Sequence, residues 1–295
     1  MRILVASGKG GTGKTTVATN LAHVASLDGH TVAYVDCDVE APNGHLFLKP
    51  DWTVRRPVTR PVPQVDEAKC THCGRCHEAC QFSAIVPLGV TVLIYAELCH
   101  GCGGCVLACP SGAISELPRT IGVLEMGWSA DVQVTQGLLN VGEAMSTPLI
   151  RQVKRASPRA DLTVIDAPPG TSCPVIEATR GSDYVLLVTE PTPFGLNDLT
   201  LAVEMVRVLD LPLGVVVNRA AAGVSLIRDY CRDESIPVLA EIPDDRAIAE
   251  AYSRGQLASS VSAQYRAMFA DLARCLAKVV EQTASGSPVA QGSHP

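Results

Sequence analysis

Short apolar runs alternate with longer segments of helical periodicity along most of the chain. The first pair is the run Ile3-Leu4-Val5-Ala6, followed by a glycine-rich stretch and a helical pattern over 14–27. Strands that alternate with helices form parallel sheets with helices on both faces, so this pattern predicts an α/β fold with a doubly wound, mostly parallel sheet. Further strands are predicted at 31–35, 121–126, 132–134, 162–165, 184–189 and 213–217, and further helices at 147–155, 199–209 and 265–280.

A cysteine-rich segment interrupts this pattern. It follows a region rich in proline and arginine, 55–63, whose composition is typical of a linker. Within it, the cysteine motif that begins at Cys70 recurs at Cys99, an offset of 29 residues (99 − 70 = 29), with a predicted hairpin at 85–95 between the copies. A duplicated unit inserted into the larger fold explains this repeat most simply. The predicted domains are the two parts of the α/β domain, the small α+β insertion and a disordered tail, at 1–60 and 119–283, 61–118, and 284–295.

Composition and charge narrow the function classes. Of the 295 residues, 47% are hydrophobic and 18% are charged, which is enough for a substantial core. The net charge of -6 comes without a basic stripe, so we expect no nucleic-acid binding. The N-terminus does not resemble a signal peptide, and no apolar stretch reaches the roughly 20 residues of a membrane span, so we expect a cytoplasmic protein. Since thiols stay reduced there, the twelve cysteines indicate metal binding rather than disulfides.

The glycine-rich stretch after the first strand fits a phosphate-binding loop. Its sequence is Gly8-Lys9-Gly10-Gly11-Thr12-Gly13-Lys14-Thr15. Glycines let backbone N–H groups turn towards phosphate oxygens, and the helix N-terminus adds positive potential. Lys14 would reach the β- and γ-phosphates, and Thr15 would place its hydroxyl on Mg²⁺. The sequence therefore predicts a site for ATP and Mg²⁺ that comprises Gly8, Gly10, Gly11, Thr12, Gly13, Lys14, Thr15 and Thr16.

A second lysine in this loop, Lys9, carries a family resemblance. The string KGGTGKTT resembles the deviant Walker A motif of the MinD/ParA/Mrp-type P-loop ATPases, a group that includes the nitrogenase iron protein. Asp36-Cys37-Asp38 resembles the first switch of that group, and Asp166-Ala167-Pro168-Pro169-Gly170 resembles the second. The resemblance covers about 1–51 and 122–257.

The resemblance implies roles for individual residues. Lys9 would cross a dimer interface to the partner's phosphates, so the implied assembly is a homodimer or a heterodimer with a related paralogue. Asp38 would position the attacking water, Asp36 would support the switch, and Asp166 would hold the water shell of the metal. Asn218 would contact the base, which favours a purine without distinguishing ATP from GTP. Each aspartate alone could also be a cap or turn residue, and Asn218 could bond its own turn. The implied catalytic residues are Lys9, Lys14 and Asp38, and the implied nucleotide contacts include Asp36, Asp166, Gly170 and Asn218.

Each half of the cysteine repeat has the form C-x2-C-x2-C-x3-C. This is the bacterial ferredoxin run, in which the fourth cysteine ligates the other cluster. Zinc also binds C-x2-C pairs, but the duplication and the x3 spacing favour clusters. Gln81 stands where the ferredoxin pattern usually has proline. The sequence thus predicts two [4Fe–4S] clusters, one held by Cys70, Cys73, Cys76 and Cys109, and the other by Cys99, Cys102, Cys105 and Cys80.

Four cysteines lie outside the repeat. Cys37, Cys231 and Cys275 are expected to pack as small buried side chains. Cys173 follows Asp166 by seven residues (173 − 166 = 7), and the nitrogenase iron protein has a cluster-ligating cysteine at a similar offset. Cys173 could therefore meet a shared or transient cluster or a partner, or it could be a packed thiol.

These features favour an ATPase in which nucleotide binding and dimer closure control electron transfer to a redox partner protein. The chain resembles MinD-superfamily ATPases with an inserted ferredoxin domain. Three alternatives remain. An Mrp-type iron–sulfur carrier would have a C-x-x-C pair near the chain end, which is absent here. A MinD- or ParA-like spatial organiser would need a basic tail or surface, and an amidase of the cobalamin-synthesis type would need a glutaminase nucleophile.

Overall fold

A computed structural model describes residues 1–221 and 223–284. Most of the predicted tail, 285–295, lies outside the described residues, while Ala284 ends the last helix. The strands are β1 Arg2–Ala6, β2 Val32–Asp36, β3 Asp51–Val65, β4 Ile85–Leu88, β5 Thr91–Ile94, β6 Ile114–Ser129, β7 Val132–Leu139, β8 Leu162–Asp166, β9 Tyr184–Thr189, β10 Leu213–Ala220 and β11 Val238–Pro243. The helices are α1 Lys14–Leu27, α2 His45–Leu48, α3 Arg75–Glu78, α4 Gly104–Ala108, α5 Thr147–Ala156, α6 Cys173–Thr179, α7 Pro193–Val208, α8 Val224–Asp233, α9 Arg246–Ser253, α10 Ala258–Val261 and α11 Ala263–Ala284.

A mostly parallel sheet forms the body of the molecule, as predicted. Its strand order among the described residues is β11-β10-β9-β1-β8-β2-β7-β6-β3. Every neighbouring pair from β11 to β7 is parallel, whereas β7, β6 and β3 pair antiparallel at one edge. Side chains of α1 and α11 pack on one face, and those of α5, α7 and α8 pack on the other. Helices therefore cover both faces of the central strands, in which every residue except Arg2 is buried.

The linker predicted at 55–63 is wrong, because this region lies inside strand β3. β3 pairs with β6 from Asp51 to Val65. The pairing of β6 with β7 begins at Gly122, so the stretch of β6 before Gly122 projects from the sheet with its β3 partners as a two-stranded ribbon. Proline cannot donate to a ladder, but both strands of a ribbon have an open edge where no donor is needed. The proline-rich composition is therefore compatible with pairing here. The domain boundaries predicted after 60 and 118 fall inside this ribbon, where Arg60 pairs with Arg119.

The cysteine-rich segment repeats in backbone conformation as well as in sequence. Positive φ angles recur at positions 29 residues apart, at His72 and Gly101 (52° and 64°) and at Gly74 and Gly103 (78° and 72°). Helices α3 and α4 begin at equivalent positions, 75 and 104 (75 + 29 = 104). The predicted hairpin is confirmed as β4 and β5, and a separate small core contains Ile85, Val92, Cys105 and Ile114.

Several elements differ in extent from the prediction or were not predicted. Helix α7 begins at Pro193 rather than 199, because the Thr192 hydroxyl oxygen accepts a hydrogen bond from the Gly195 N–H and caps it. Strand β7 continues to Leu139. Helices α2, α8, α9 and α10 and strand β11 were not predicted. Within 1–221 and 223–284, no helix has the length and apolar character needed to cross a membrane.

Candidate functional site

The phosphate loop connects β1 to α1 at the carboxyl end of the sheet. Gly13 precedes the helix with a φ of 95°, and a Cβ there would overlap the Asn218 amide. Only glycine therefore fits this position. Lys14, the first helical residue, is 7% exposed, and the buried Thr12 hydroxyl has no hydrogen-bond partner in the described part of the chain. An unpaired donor and a buried lysine beside an open loop are suited to a phosphate chain.

A cleft of about 380 Å³ opens above this loop. It is lined by eight of the predicted site residues together with nine that were not assigned to the site. The predicted ones are Gly10, Gly11, Gly13, Lys14, Thr15, Thr16, Asp38 and Asn218. Those not assigned from the sequence are Asn43, Pro169, Arg219, Pro243, Asp244, Asp245, Ile248, Ala249 and Tyr252.

The sequence did contain one signal for the side of the cleft that residues 243–252 form. Strand β11 ends at Pro243, and Asp245 accepts a hydrogen bond from the Ala247 N–H at the start of α9. An aspartate between an apolar run and a helical pattern is a typical helix N-cap. The run before it, 238–242, could have been recognised as a last strand, whose carboxyl end reaches the same edge of the sheet as the phosphate loop.

The two switch aspartates stand side by side at the ends of neighbouring strands. Asp36 on β2 is in register with Asp166 on β8, and both are buried. Asp36 accepts backbone hydrogen bonds from Asp38 at 3.0 Å, Gly44 at 3.0 Å and Asn43 at 3.2 Å. Burial and the charge of Asp166 raise the pKa of Asp36. Asp36 does not line the cleft, so its contacts hold the first switch loop rather than the nucleotide.

Asp166 offers one free carboxylate oxygen. Its Oδ2 accepts a hydrogen bond of 2.9 Å from the Tyr34 hydroxyl, whereas its Oδ1 is buried and has no partner in the described residues. Burial raises the pKa of Asp166, while Lys14 and the hydroxyls of Thr15 and Tyr34 act to lower it. Buried acceptors without partners are rare, and hard cations such as Mg²⁺ take oxygen ligands or their water shell. Asp166, like Asp36, does not line the cleft, but it interacts with Lys14 and Thr15, which do. Asp166 and Thr15 therefore fit a Mg²⁺ ion, which Asp166 would hold through its water shell.

Tyr34 is a buried residue that sequence reasoning did not assign to the site. We expect Tyr34→Phe to weaken divalent-cation binding by about 10–100-fold, the usual effect of removing a partner of a metal-site carboxylate. Without the hydroxyl the pKa of Asp166 rises further, so the loss should grow as pH falls. The measurement is titration of the nucleotide complex with Mn²⁺, followed by EPR.

Tyr184→Phe is the matched control for this prediction. The Tyr184 hydroxyl is also buried, but it has no hydrogen-bond partner in the described residues and lies in the core on β9. Cation binding should therefore be unchanged in this variant. Equal weakening in both variants would mean that Tyr34 acts only through general stability.

Asp38 lines the cleft beside Lys14. Burial raises the pKa of Asp38 to about 6, and Lys14 acts in the opposite direction. The carboxylate is therefore mostly ionised at neutral pH and able to accept a hydrogen bond from water. Its position in the cleft is compatible with the role implied by the family resemblance.

Lys9 does not line the cleft formed by its own loop. Its ammonium group lies 3.9 Å from a carboxylate oxygen of Glu190, and its side chain is 36% exposed. Glu190 also pairs with Arg219 at 2.6 Å. Lys9 is thus held outside its own nucleotide cleft, in a position from which it could contact another molecule.

Asn218 and Gly170 both attach other elements to the phosphate loop. The Asn218 amide donates a 2.8 Å hydrogen bond to the Thr12 carbonyl, so it holds the loop instead of bonding its own turn. The Gly170 N–H donates to the Ser7 carbonyl at 3.1 Å and joins the second switch to the start of the loop. Gly8 packs tightly against Asp198 of α7 and lies outside the cleft.

The eight cysteines of the repeat divide between two small cavities. Each cavity receives three cysteines from one half and the fourth from the other half. The first is lined by Cys70, Cys73, Cys76 and Cys109, and the second by Cys80, Cys99, Cys102 and Cys105. The Gly101 N–H lies 3.3 Å from the Cys99 Sγ, and the Ala113 N–H lies 3.2 Å from the Cys109 Sγ. Such N–H groups stabilise thiolate sulfur.

The other cysteines are in three different environments. Cys37 and Cys231 are buried in the core, as predicted. Cys275 is only partly buried against the opposite core face. Cys173 is exposed at the first position of α6, so it is not a packed thiol.

Several known proteins are similar to this chain in sequence. The profile of the CobQ/CobB/MinD/ParA nucleotide binding domain matches residues 3–258. An uncharacterized protein of Methanocaldococcus jannaschii is 31% identical over 259 residues, which cover 87% of this chain and 90% of that protein. An iron-sulfur cluster carrier protein of Aquifex aeolicus is 26% identical over 299 residues, covering 95% of this chain and 68% of the carrier.

A solved structure shows the same fold. The cell division ATPase MinD of Pyrococcus furiosus aligns with a TM-score of 0.60 at 24% identity, over 94% of this chain and 98% of its own. The family profile covers the phosphate loop, both switches and the wall of the cleft. The chain therefore belongs to the CobQ/CobB/MinD/ParA family of nucleotide-binding domains and is a P-loop ATPase of the MinD/ParA/Mrp type.

Proposed function

We propose that this ATPase couples ATP binding and hydrolysis to electron transfer through two [4Fe–4S] clusters. The observation that carries the proposal is the division of the repeat cysteines between two cavities, each completed by a cysteine from the other half. This is the ligand pattern of two-cluster bacterial ferredoxins. Both cavities lie in the unit that the ribbon of β3 and β6 attaches to the ATPase sheet.

Sulfur spacing favours clusters over zinc. A tetrahedral zinc ion with Zn–S bonds of about 2.3 Å would bring its sulfurs to about 3.8 Å from one another. Among the described residues, no three of these cysteine sulfurs lie mutually within 4.8 Å. The one such group is Glu67, Cys70 and His72, which includes a single cysteine. These sulfurs therefore do not form the compact set that zinc needs, whereas a [4Fe–4S] cluster, with iron at alternate corners of a cube, takes more widely spaced thiolates.

The cysteine unit would hold the clusters with its own side chains. A [4Fe–4S] cluster, when bound, supplies reversible one-electron transfer. Four thiolates would ligate each cluster, and the N–H groups at the Cys99 and Cys109 sulfurs would stabilise negative charge there. Apolar side chains of Ile85, Val92 and Ile114 pack against the ligand cysteines and limit water access.

The cleft residues would bind the nucleotide and orient water. Lys14 would neutralise charge on the β- and γ-phosphates, and Thr15 and Asp166 would hold Mg²⁺ through a hydroxyl and a carboxylate. Asp38 would orient the attacking water. Lys9 lies outside its own cleft, which supports a dimer with a second copy or a related paralogue in which each Lys9 reaches the other nucleotide.

A cluster carrier is the second candidate function. It is favoured by the 26% identity to the iron-sulfur cluster carrier protein of Aquifex aeolicus. The two functions differ in how tightly the clusters are held, because a carrier must release its cargo. Cys173, exposed on α6, would be a candidate site for such a transient cluster.

Anaerobic reconstitution followed by a chelator challenge tests the proposal. An electron-transfer protein should retain about eight iron atoms per chain, two clusters of four, both during chelation and in the presence of an apo-ferredoxin acceptor. ATP-stimulated transfer of iron and sulfide to the acceptor would instead favour the carrier. If only zinc or no metal is bound after reconstitution, neither function holds.

A further inference from the structure

A buried ion pair joins the ribbon to the loop after β7. The Arg60 guanidinium on β3 lies 2.8 Å from the Glu143 carboxylate, and both side chains are 2% exposed. The same guanidinium nitrogen donates to the Ala96 carbonyl at 3.0 Å. Arg60 therefore contacts both the cysteine unit and the ATPase domain. Buried charged pairs are sensitive to the loss of either partner, since the other charge is left without compensation.

The ligand loop of the second cavity packs directly on this arginine. A Cβ at Gly101 would lie 3.0 Å from the Pro61 carbonyl oxygen and 3.1 Å from the Arg60 Cγ. The Gly101 N–H in turn donates to the Cys99 sulfur. Because Gly101 packs directly against Arg60, a displacement of Arg60 would also displace the loop that carries Cys99 and Cys102.

The other end of the ion pair is connected to the first switch. The Leu139 N–H, at the end of β7, donates to the Val39 carbonyl at 2.9 Å, and Val39 follows the cleft residue Asp38. The loop then turns through a hydrogen bond from the Glu143 N–H to the Asn140 carbonyl at 3.1 Å. Glu143 is therefore four residues from a strand end that is bonded to the switch (143 − 139 = 4).

The first cavity has no counterpart of this connection. The repeat equivalent of Gly101 is His72 (72 + 29 = 101), and His72 is exposed. Within the described residues, no hydrogen bond or ion pair links the loop 70–76 to Glu143, and the first cavity packs instead on Val65 and Ile114, the pair at the end of the ribbon farthest from β7. The two halves of the duplicated unit thus share a backbone conformation but differ in their attachment.

From this asymmetry we infer that the Arg60–Glu143 pair couples the nucleotide switch selectively to the cluster held by Cys80, Cys99, Cys102 and Cys105. Arg60 and Glu143 are positioning residues in this scheme. A nucleotide that binds one conformation of the switch more tightly increases the population of that conformation. Every group whose position depends on the switch then changes with it. The first cluster, held by Cys70, Cys73, Cys76 and Cys109, would respond little. The inference rests on the proposed function.

Hydrogen exchange of the anaerobically reconstituted protein tests the inference. We expect Mg²⁺ with a non-hydrolysable ATP analogue, relative to Mg-ADP, to change exchange in 97–104 by about fivefold or more. Exchange in the repeat-equivalent stretch 68–75 should change far less (68 + 29 = 97). The duplicated unit thus supplies its own internal control. An equal or larger response in 68–75 of the wild-type protein would overturn the inference without any variant.

Glu143→Gln removes the charge of the pair and keeps its size. In this variant the nucleotide response of 97–104 should be lost while ATP binding and iron content remain. Arg55→Gln is the matched control, because it breaks a different ion pair of β3, Arg55–Glu125 at 3.3 Å, and it should keep the response. Arg60→Lys keeps a cation beside Glu143, so this variant should keep at least part of the nucleotide response of 97–104.

The outcomes separate the inference from the proposed function. A full response of 97–104 in Glu143→Gln would overturn the inference and leave the proposed function standing. Absence of clusters after reconstitution would overturn both. In a third outcome, the clusters form but neither loop of the wild-type protein responds to nucleotide. This result would contradict both the coupling through Arg60 and Glu143 and the nucleotide control in the proposed function.

Discussion

Replacing Lys14 with alanine is expected to reduce ATP hydrolysis by about 10³-fold, the usual order for removing one preorganised group that stabilises developing charge. Two effects act together. The variant loses the ammonium group that faces the phosphates at the start of α1. It also loses the cation that lowers the pKa of Asp38 and of Asp166. The pKa of Asp38 would then rise above about 6, so less of this group would be ionised at pH 7.

The measurement is steady-state phosphate release together with binding of a fluorescent ATP analogue. Lys9→Ala is the matched control in the same loop, because Lys9 lies outside its own cleft. This variant should bind nucleotide like the wild type and lose hydrolysis only to the extent that hydrolysis needs a second subunit. Near-normal hydrolysis by Lys14→Ala would mean that the cleft is not the hydrolytic site.

Changing Cys109 to serine is expected to remove the first cluster and leave the second. Cys109 lies in the second half of the sequence repeat but lines the cavity of the first half. Iron content should therefore fall from about eight to about four atoms per chain. The EPR spectrum of the reduced variant should match that of Cys76→Ser, whose residue lines the same cavity.

Cys105→Ser is the contrasting variant, because Cys105 lies close to Cys109 in sequence but lines the other cavity. If ligation followed the sequence halves instead, Cys109→Ser would resemble Cys105→Ser, and the crossed assignment would be wrong. Matching spectra from all three variants would mean that the two halves cannot hold clusters independently.

Local patterns predicted the central part of the fold well. The helix at 14–27, the strand at 184–189 and the hairpin inside the repeat correspond to α1, β9 and β4–β5. Each is specified by its own periodicity and by a nearby glycine or turn. The cysteines that line each cavity are the four that the motif spacing groups together, while their role as cluster ligands stays a prediction.

Features that depend on long-range contacts could not be predicted. The proline-rich stretch 55–63 resembled a linker because its pairing partner lies some 60 residues later, in β6. Tyr34 looked like an ordinary strand residue until Asp166 was placed beside it. Arg60 and Glu143 are 83 residues apart, and nothing local marks either as buried.

The most direct measurement is an anaerobic potentiometric titration followed by EPR, with and without Mg²⁺ and a non-hydrolysable ATP analogue. If the nucleotide state is coupled to the redox state of a cluster, as we propose, ATP binds the oxidised and the reduced protein with different affinity. A tenfold difference would shift the midpoint potential of at least one of two [4Fe–4S] signals by about 60 mV. Two signals with potentials indifferent to nucleotide would contradict coupled electron transfer.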